Sequence, residues 1–508
     1  MKSRLRAFPW YAILFAIYPA LSLLAHNIGE IEYGVAYRAL ILSVLISFVS
    51  LLMLYLVFRD WNKAGILTVL GLAAFFFYGH AFGTIRGLEM GGRVVGRHTY
   101  FIAAWLVLFL GLAWLTLKGS WQAGLVPVLG TMSVVLLVFP LYQLLAHQYN
   151  SSRAARVVAP EIPVPSRPAE ALPDIYFIIL DMYGRNDVLV EEFGYDDGLF
   201  LEQLEEMGFY VASCSQSKYH STAFSLSSAL NVNYLRDLSE KFTPENKDTG
   251  LMWHLIQNSA VEAVLREHGY RVVAFETGYE WTEWEDADYF YTLRSAKINS
   301  FEDLLLRNSL PAVFSERGYL DPYLLTSDRR KHELSLYVLD ELENVPHLPG
   351  PKFVFAHLTI PHPPFVVGPE GEFEVVPPHY ENGEDYYIKE EYKIGYRNQL
   401  AFLNMRLPQV FRAILENSAR PPVILLQGDH GPRFVETEKQ LGILNASYFP
   451  APQPELHPAM TPVNHFRLIF NTYFGASLPS LPDRSYVSDL ETPYDFREVR
   501  NDCPANDR

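Results

Sequence analysis

The chain has 508 residues, 41 Lys+Arg against 57 Asp+Glu, and a formal net charge of −16. That length exceeds one ordinary hydrophobic core, so two or more structural units are expected. The first 150 residues hold ten Lys+Arg and four Asp+Glu, a net of +6, which leaves −22 for the remainder. A C-terminal portion that acidic lacks the basic footprint of a nucleic-acid binder, and nucleic acid is excluded as a partner. The two cysteines, Cys214 and Cys503, define neither a disulfide framework nor a cysteine-rich metal site, and leave the redox compartment open.

Five apolar stretches near the N-terminus, at about 7–25, 39–58, 64–85, 99–117 and 123–146, approach the roughly 20 residues a helix needs to cross a bilayer. The second, Ala39 to Phe58, carries no charge. Soluble helices in series would show polar outer faces, so residues 1–150 are predicted to form a bundle of five transmembrane helices. A cleaved signal peptide is the alternative for the first stretch, but four more spans come after it and no small-residue cleavage site stands out. Lys2, Arg4 and Arg6 favour a cytoplasmic N-terminus, with Arg59, Lys63 and Lys118 also inside. Five spans would then place everything after residue 146 outside the cytoplasm. Arg86, Arg93 and Arg97 would lie outside too, as a solvated loop or a basic patch for a lipid phosphate. Residues 151–173, broken by Pro160, Pro163, Pro165 and Pro168, read as a linker.

Residues 174–508 are predicted to form an extracytoplasmic α/β domain with a mainly parallel central sheet flanked by helices. Four apolar runs read as buried strands: Ile175–Leu180, Arg271–Phe275, Lys352–Leu358 and Pro422–Leu426. Helical stretches such as Leu199–Met207, Leu251–His268 and Lys331–Glu343 alternate with them. In such sheets ligands gather beyond the carboxyl ends of the strands, so polar residues there carry the functional information.

The first strand runs into Asp181-Met182-Tyr183-Gly184, which places a hard cation ligand at a strand end. The fourth runs through Gln427 into Gly428-Asp429-His430-Gly431, where adjacent Asp and His on a glycine-flanked turn can face one cation. The third ends in His357, with His362 on a proline-rich turn after it; the pair could bind a second cation or a substrate phosphate. The segment Ser217–Leu230 reads as a loop entering a helix. A hydroxyl at a helix start is usually an N-cap, but free backbone N–H groups there also receive phosphate, and a cation beside Thr222 would make it a nucleophile. On local chemistry alone Ser221 and Ser225 compete with Thr222 for that role.

Taken in order, Asp181, Thr222, His357/His362 and Gly428-Asp429-His430-Gly431 resemble the site of the alkaline phosphatase/sulfatase superfamily. The nearest likeness is to its membrane-bound branch, the lipoteichoic acid synthases and phosphoethanolamine transferases, which pair five transmembrane helices with an extracytoplasmic domain. The resemblance implies an alkaline-phosphatase-like fold. It implies that Asp181, Thr222, Asp429 and His430 bind one divalent cation, zinc or manganese, and that Thr222 passes through a phospho-threonine intermediate. His357, His362 and Arg433 would hold the phosphate. A second metal, as in two-metal relatives, would draw on His357, His362 and His465; a buried structural role is the other reading of His465.

Membrane transferases of this branch commonly have Glu at the place of Asp181, which leaves open which metal is held. Sulfatases need a Cys/Ser-x-Pro-x-Arg motif; around Cys214 the chain reads Cys-Ser-Gln-Ser-Lys, so sulfate-ester hydrolysis is not expected. The implied activity is transfer of a phospho-headgroup, of phosphoglycerol or phosphoethanolamine type, from a membrane phospholipid to a glycan or polymer acceptor. A phosphodiesterase or phosphatase with the same site, and a non-catalytic membrane binding or assembly protein, are the rivals.

Overall fold

The computed structural model describes residues 8–28, 33–85, 88–90, 93–94, 96–154, 160–165, 172–293, 299–311, 313, 327–376, 379–381, 384–489, 491–501 and 503. Lys2, Arg4, Arg6, Arg86 and residues 155–159 and 166–171 of the expected linker lie outside them. Two compact units divide the chain. One takes the residues up to Asn150 together with Ala296–Ser327 and His379–Tyr386; the other takes Ser151–Ser295, Asp328–Pro378 and Tyr387–Arg508.

The first unit contains α1 (Trp10–Asn27), α2 (Tyr37–Phe58), α3 (Trp61–Phe76), α4 (Tyr78–Gly83), α5 (His98–Lys118) and α6 (Gln122–Ala154). Among the described residues, four helical spans, at Trp10–Asn27, Tyr33–Phe58, His98–Lys118 and Gln122–Tyr149, are long and apolar enough to cross a membrane. The expected five is therefore not met as five continuous helices. The third stretch breaks at Phe77, whose φ of −94° and ψ of 0° leave the helical region, so α3 ends after 16 residues. At 1.5 Å per residue, 16 residues span about 24 Å, short of a hydrocarbon core of roughly 30 Å. On α2 the side chains of Ile41, Leu45, Ile46, Val49, Met53 and Val57 are exposed. An apolar outer face of that kind suits a lipid surround.

The second unit is built on a seven-stranded sheet. Its strands are β1 (Ile175–Leu180), β2 (Tyr210–Val211), β3 (Arg271–Phe275), β4 (Tyr289–Tyr291), β5 (Lys352–Leu358), β6 (Val423–Gly428) and β7 (Asn445–Tyr448), in the order β2-β7-β6-β1-β5-β3-β4. β6, β1, β5, β3 and β4 run parallel; β7 is antiparallel to both β6 and β2. Successive residues of the central strands feed two separate cores. Tyr176, Ile178, Leu180, Val354, Ala356, Leu358, Ile424 and Leu426 join one. Ile175, Phe177, Ile179, Phe353, Phe355, Val423 and Leu425 join the other. Burial on both faces is why these strands read as unbroken apolar runs rather than alternating ones.

The helices that position the site are α7 (Thr222–Leu230), α8 (Ser327–Asn344) and α9 (Lys389–Asn417). The expected helix over 251–268 is two helices, Gly250–Gln257 and Ala260–Glu267. Ser259 starts the second by accepting a hydrogen bond from the Glu262 amide, a side-chain cap that helix-interior patterning does not reveal. A last hairpin, β8 (Ser485–Asp489) with β9 (Thr492–Val499), lies outside the main sheet.

The two cysteines are joined. Cys214 and Cys503, 289 positions apart, form a disulfide.

Candidate metal centre

The parallel register aligns β6, β1 and β5, pairing Gly428 with Leu180 and Leu180 with Leu358. Their carboxyl ends therefore emerge side by side and deliver Asp429, Asp181 and His357 to one place. One ligand atom from each of Asp181, His357 and Asp429 lies within 4.8 Å of the others, and all three side chains are buried. His357 Nε2 is 3.7 Å from Asp181 Oδ2. His430 Nε2 approaches the same carboxylates, 3.9 Å from Asp181 Oδ1 and 3.7 Å from Asp429 Oδ2.

Asp181 Oδ1, Asp429 Oδ2 and His357 Nε2 are buried without a hydrogen-bond partner. Two carboxylates taken out of water beside each other would each cost several kcal/mol if left so. The other oxygen of Asp429 is used: Oδ1 accepts from the amides of Met182 and His430, both at 2.9 Å. His430 Nδ1 lies 2.8 Å from the Gly431 carbonyl, so Nδ1 carries the proton and Nε2 is free to ligate. Burial and the charge on Asp181 push the Asp429 carboxyl up, with His430 opposing. Asp181 is held below the usual carboxylate range: its burial, which alone would raise it, is outweighed by His362, His357 and His430. Orphaned donors of mixed carboxylate and imidazole type fit a divalent cation such as zinc or manganese.

The backbone is shaped for this approach. Met182 adopts φ +70°, uncommon for a non-glycine residue. Its amide is held by Asp429, while its carbonyl accepts from the Tyr396 hydroxyl at 2.7 Å. A Cβ at Gly428 would stand 2.3 Å from the Tyr183 carbonyl oxygen, and one at Gly431 would stand 2.7 Å from that of Gly442. Both glycines flanking Asp429-His430 are thus required by close backbone approach.

Thr222 is the first residue of α7, and it lies close enough to Asp429 for its hydroxyl to favour the charged carboxylate. Its two competitors are elsewhere engaged or aimed. Ser225 Oγ donates to the Tyr219 carbonyl at 2.8 Å. Ser221 occupies the N-cap position, and its side chain makes no capping bond.

The expected site residues divide accordingly. Asp181, Thr222, Asp429 and His430 come together, and His357, expected as a phosphate or second-metal residue, sits with the two carboxylates as a ligand candidate. His362 is close enough to Asp181 for mutual charge stabilisation, though burial lowers it to about 4. Arg433 is exposed, with its guanidinium acting on His220. His465 is not gathered with His357 and His362: it is buried, with Nδ1 3.1 Å from Gln427 Oε1, and feels the charge of Lys218. The second-metal trio is therefore not assembled among the described residues.

Three nearby residues escaped the sequence reading. Lys331, on α8, donates to the His362 carbonyl at 2.6 Å and faces Asp181. His220 lies close enough to His430 and Arg433 for their charges to lower it, after burial as the main cause. Thr282, in the connection between β3 and β4, is 3.4 Å from His357 Nδ1. None stands at a strand end, so no periodic signal marks them.

No protein-family model and no curated protein matches the sequence. The chain is similar to phosphoethanolamine transferases and sulfatases of solved structure. The C-terminal periplasmic domain of EcEptC from Escherichia coli, in complex with Zn, aligns at 13% identity and TM-score 0.41, over 67% of this chain and 96% of that one. The integral membrane lipooligosaccharide phosphoethanolamine transferase A from Neisseria meningitidis aligns at 14% and 0.37, over 87% of each chain. A putative sulfatase from Bacteroides thetaiotaomicron aligns at 11% and 0.39, over 62% and 77%.

Proposed function

We propose that the chain is a membrane-anchored, metal-dependent transferase that moves a phospho-headgroup from a membrane phospholipid to a cell-envelope glycan or polymer through a phospho-threonine intermediate. The observation that carries this is the convergence of unpartnered, buried ligand atoms from Asp181, Asp429 and His357 beside the Thr222 hydroxyl. A divalent cation held by Asp181, Asp429, His430, His357 and Thr222 would supply the positive charge that favours the alkoxide and offsets charge on a phosphoryl group.

The chain's own residues do the rest. Asp429 stands beside the start of α7 and would accept from the Thr222 hydroxyl, fixing the direction of its oxygen. The free amides at the start of α7 face an incoming phosphate. Thr222 oxygen attacks phosphorus in line, and the bond to the diacylglycerol oxygen breaks. His362 and Lys331, both near Asp181, would hold phosphate oxygens, and Lys331, which burial lowers to about 7, would give that leaving oxygen its proton. An acceptor hydroxyl then attacks the phosphorus, loses its proton and regenerates Thr222.

The membrane arrangement supports a lipid donor and an external site. A Cys214–Cys503 disulfide suits an oxidising compartment. With basic residues 2–6 inside, an external catalytic unit needs an odd number of crossings. The α3–α4 pair, Trp61 to Gly83, can supply the fifth as a broken helix of about 33 Å.

The test is covalent capture. Detergent-purified protein is incubated with zinc or manganese and a phospholipid mixture, and its tryptic peptides are weighed by mass spectrometry. A phosphoryl-headgroup adduct on Thr222, absent from Thr222→Ala, is expected, and its mass names the headgroup. Absence of metal and adduct across several divalent ions and lipids would sink the transferase reading in favour of a binding module. Acceptor-dependent turnover separates transfer from hydrolysis.

A further inference from the structure

A cavity of about 350 Å³ opens in the second unit, walled by Tyr219, Tyr234, Tyr486, Arg236, Arg484 and Asp237 among others. We propose that this cavity is the acceptor subsite and that it binds a sugar ring carrying a negative charge, a phosphate or a carboxylate. The assignment as an acceptor subsite rests on the transfer reading above; the binding of a charged sugar does not.

Three features point to that ligand. The first is an apolar wall: Leu481, Pro482 and the half-buried Tyr486 line the cavity, and Tyr486 is braced by buried Tyr219, with ring centroids 5.9 Å apart, and by buried Tyr234, edge-on at 5.7 Å. Tyrosine rings braced this way, with Leu481 and Pro482, give apolar contact to a sugar's C–H surface. Their hydroxyls are fixed, since Tyr219 accepts from the Leu235 amide at 3.0 Å and Tyr234 accepts from the Arg484 amide at 3.1 Å.

The second is charge of mixed sign. The Arg236 guanidinium lies over the rings of Tyr486 and Phe496, at 5.7 and 5.5 Å, and donates to the Phe496 carbonyl. That leaves it pre-oriented, with donors to spare. Arg484 is exposed and pairs loosely, at 3.6 Å, with the equally exposed Glu498. Two guanidiniums receive an anionic substituent, and the Asp237 carboxylate can accept from ring hydroxyls.

The third is continuity with the nucleophile. Tyr219 is three residues before Thr222, a reach of at most about 11 Å along the chain. Ser485 and Tyr486 of β8 pair with that same loop: Ser485 Oγ donates to the Ser217 carbonyl and the Tyr486 amide to the Lys218 carbonyl, both at 2.7 Å. The wall of the cavity is thus tied to the loop that leads into Thr222, and a sugar seated in the cavity can extend a hydroxyl toward that loop's end.

The experiment is equilibrium titration of full-length protein in detergent by calorimetry, with glucose 6-phosphate, glucuronic acid, glucose and inorganic phosphate as probes. Saturable binding of the two charged sugars is expected, with glucose and inorganic phosphate each at least ten-fold weaker. Arg484→Glu should raise the Kd for the charged sugars at least ten-fold at unchanged melting temperature; Arg484→Gln reads the same loss should the reversal not fold. No binding of any sugar overturns the proposal. So does binding indifferent to Arg484, which would place the ligand at the metal centre, and so does inorganic phosphate matching glucose 6-phosphate, which would leave an anion site only. Because titration needs no turnover, sugar binding without a Thr222 adduct would remove the transfer reading alone. An adduct without sugar binding would remove the subsite alone.

Discussion

Replacing Asp181 by Asn should change protein stability in opposite directions with and without metal. Asn keeps the volume and one acceptor but removes a charge. In the metal-free protein at pH 8, two buried carboxylates stand with ligand atoms no more than 4.8 Å apart. At an effective dielectric near 20, that separation corresponds to about 3 kcal/mol of repulsion. Asp181→Asn removes it, so in EDTA the variant is expected to melt at or above the parent. With metal present the order reverses. A cation at a thousand times its Kd stabilises the parent by about 4 kcal/mol, and a carboxylate-to-amide change in the ligand set forfeits most of that. The assay is melting of full-length protein in detergent, tracked by tryptophan fluorescence, in EDTA and in saturating zinc or manganese. A variant that melts below the parent in EDTA, and gains as much as the parent from metal, would refute a metal site. Asp181 would then be a satisfied structural carboxylate.

Three further outcomes are expected. Gly428→Ala must move a Cβ out of a 2.3 Å contact with the Tyr183 carbonyl, and should lower metal occupancy by mass spectrometry while costing about 2–4 kcal/mol of stability. Asp197 is buried beside Tyr183, and burial lifts its carboxyl to about 7. A carboxyl raised on folding binds its proton more tightly in the native state, so its contribution to stability falls as pH climbs from about 4 through about 7. Asp197→Asn should therefore raise the melting temperature at pH 8, by up to about 4 kcal/mol of stability, and leave it unchanged at pH 4. Converting Cys214 and Cys503 together to Ser should cost about 2–5 kcal/mol, read as a lower melting temperature, with metal content per folded molecule preserved.

The strand-end candidate ligands were legible because a buried parallel strand leaves an unmistakable run of apolar residues. The first polar residues after such a run must emerge at the sheet's carboxyl edge. Asp181, His357 and Asp429 were all found by that rule. The choice among Ser221, Thr222 and Ser225 was not open to local chemistry, since a hydroxyl's partner is decided by tertiary approach. Only the placement of Asp429 against the start of α7, and of the Tyr219 carbonyl against Ser225, separates them. Lys331 and Thr282 come from a helix and a surface-like loop, where polar residues are the norm and carry no positional signal. The disulfide was invisible for a related reason: a separation of 289 positions says nothing about which ends meet. The broken third span was also hidden, because hydropathy is blind to a single residue leaving the helical region.

These differences share a physical cause that bears on how the centre works. Residues that define the ligand set are fixed by sheet register, which the sequence encodes locally. Residues that would decide substrate and proton traffic are fixed by packing between elements distant in the chain. Met182 joins the two sets. Its left-handed backbone costs of order 1 kcal/mol and persists only because Asp429 holds its amide and Tyr396 its carbonyl. Tyr396 belongs to α9, so a helix from the last third of the chain braces the turn that carries Asp181. Tyr396→Phe would leave every proposed ligand in place and yet let that turn relax. A weaker metal affinity in this variant, with Thr222 and both carboxylates intact, would mean that the centre depends on a strained turn as well as on its donors.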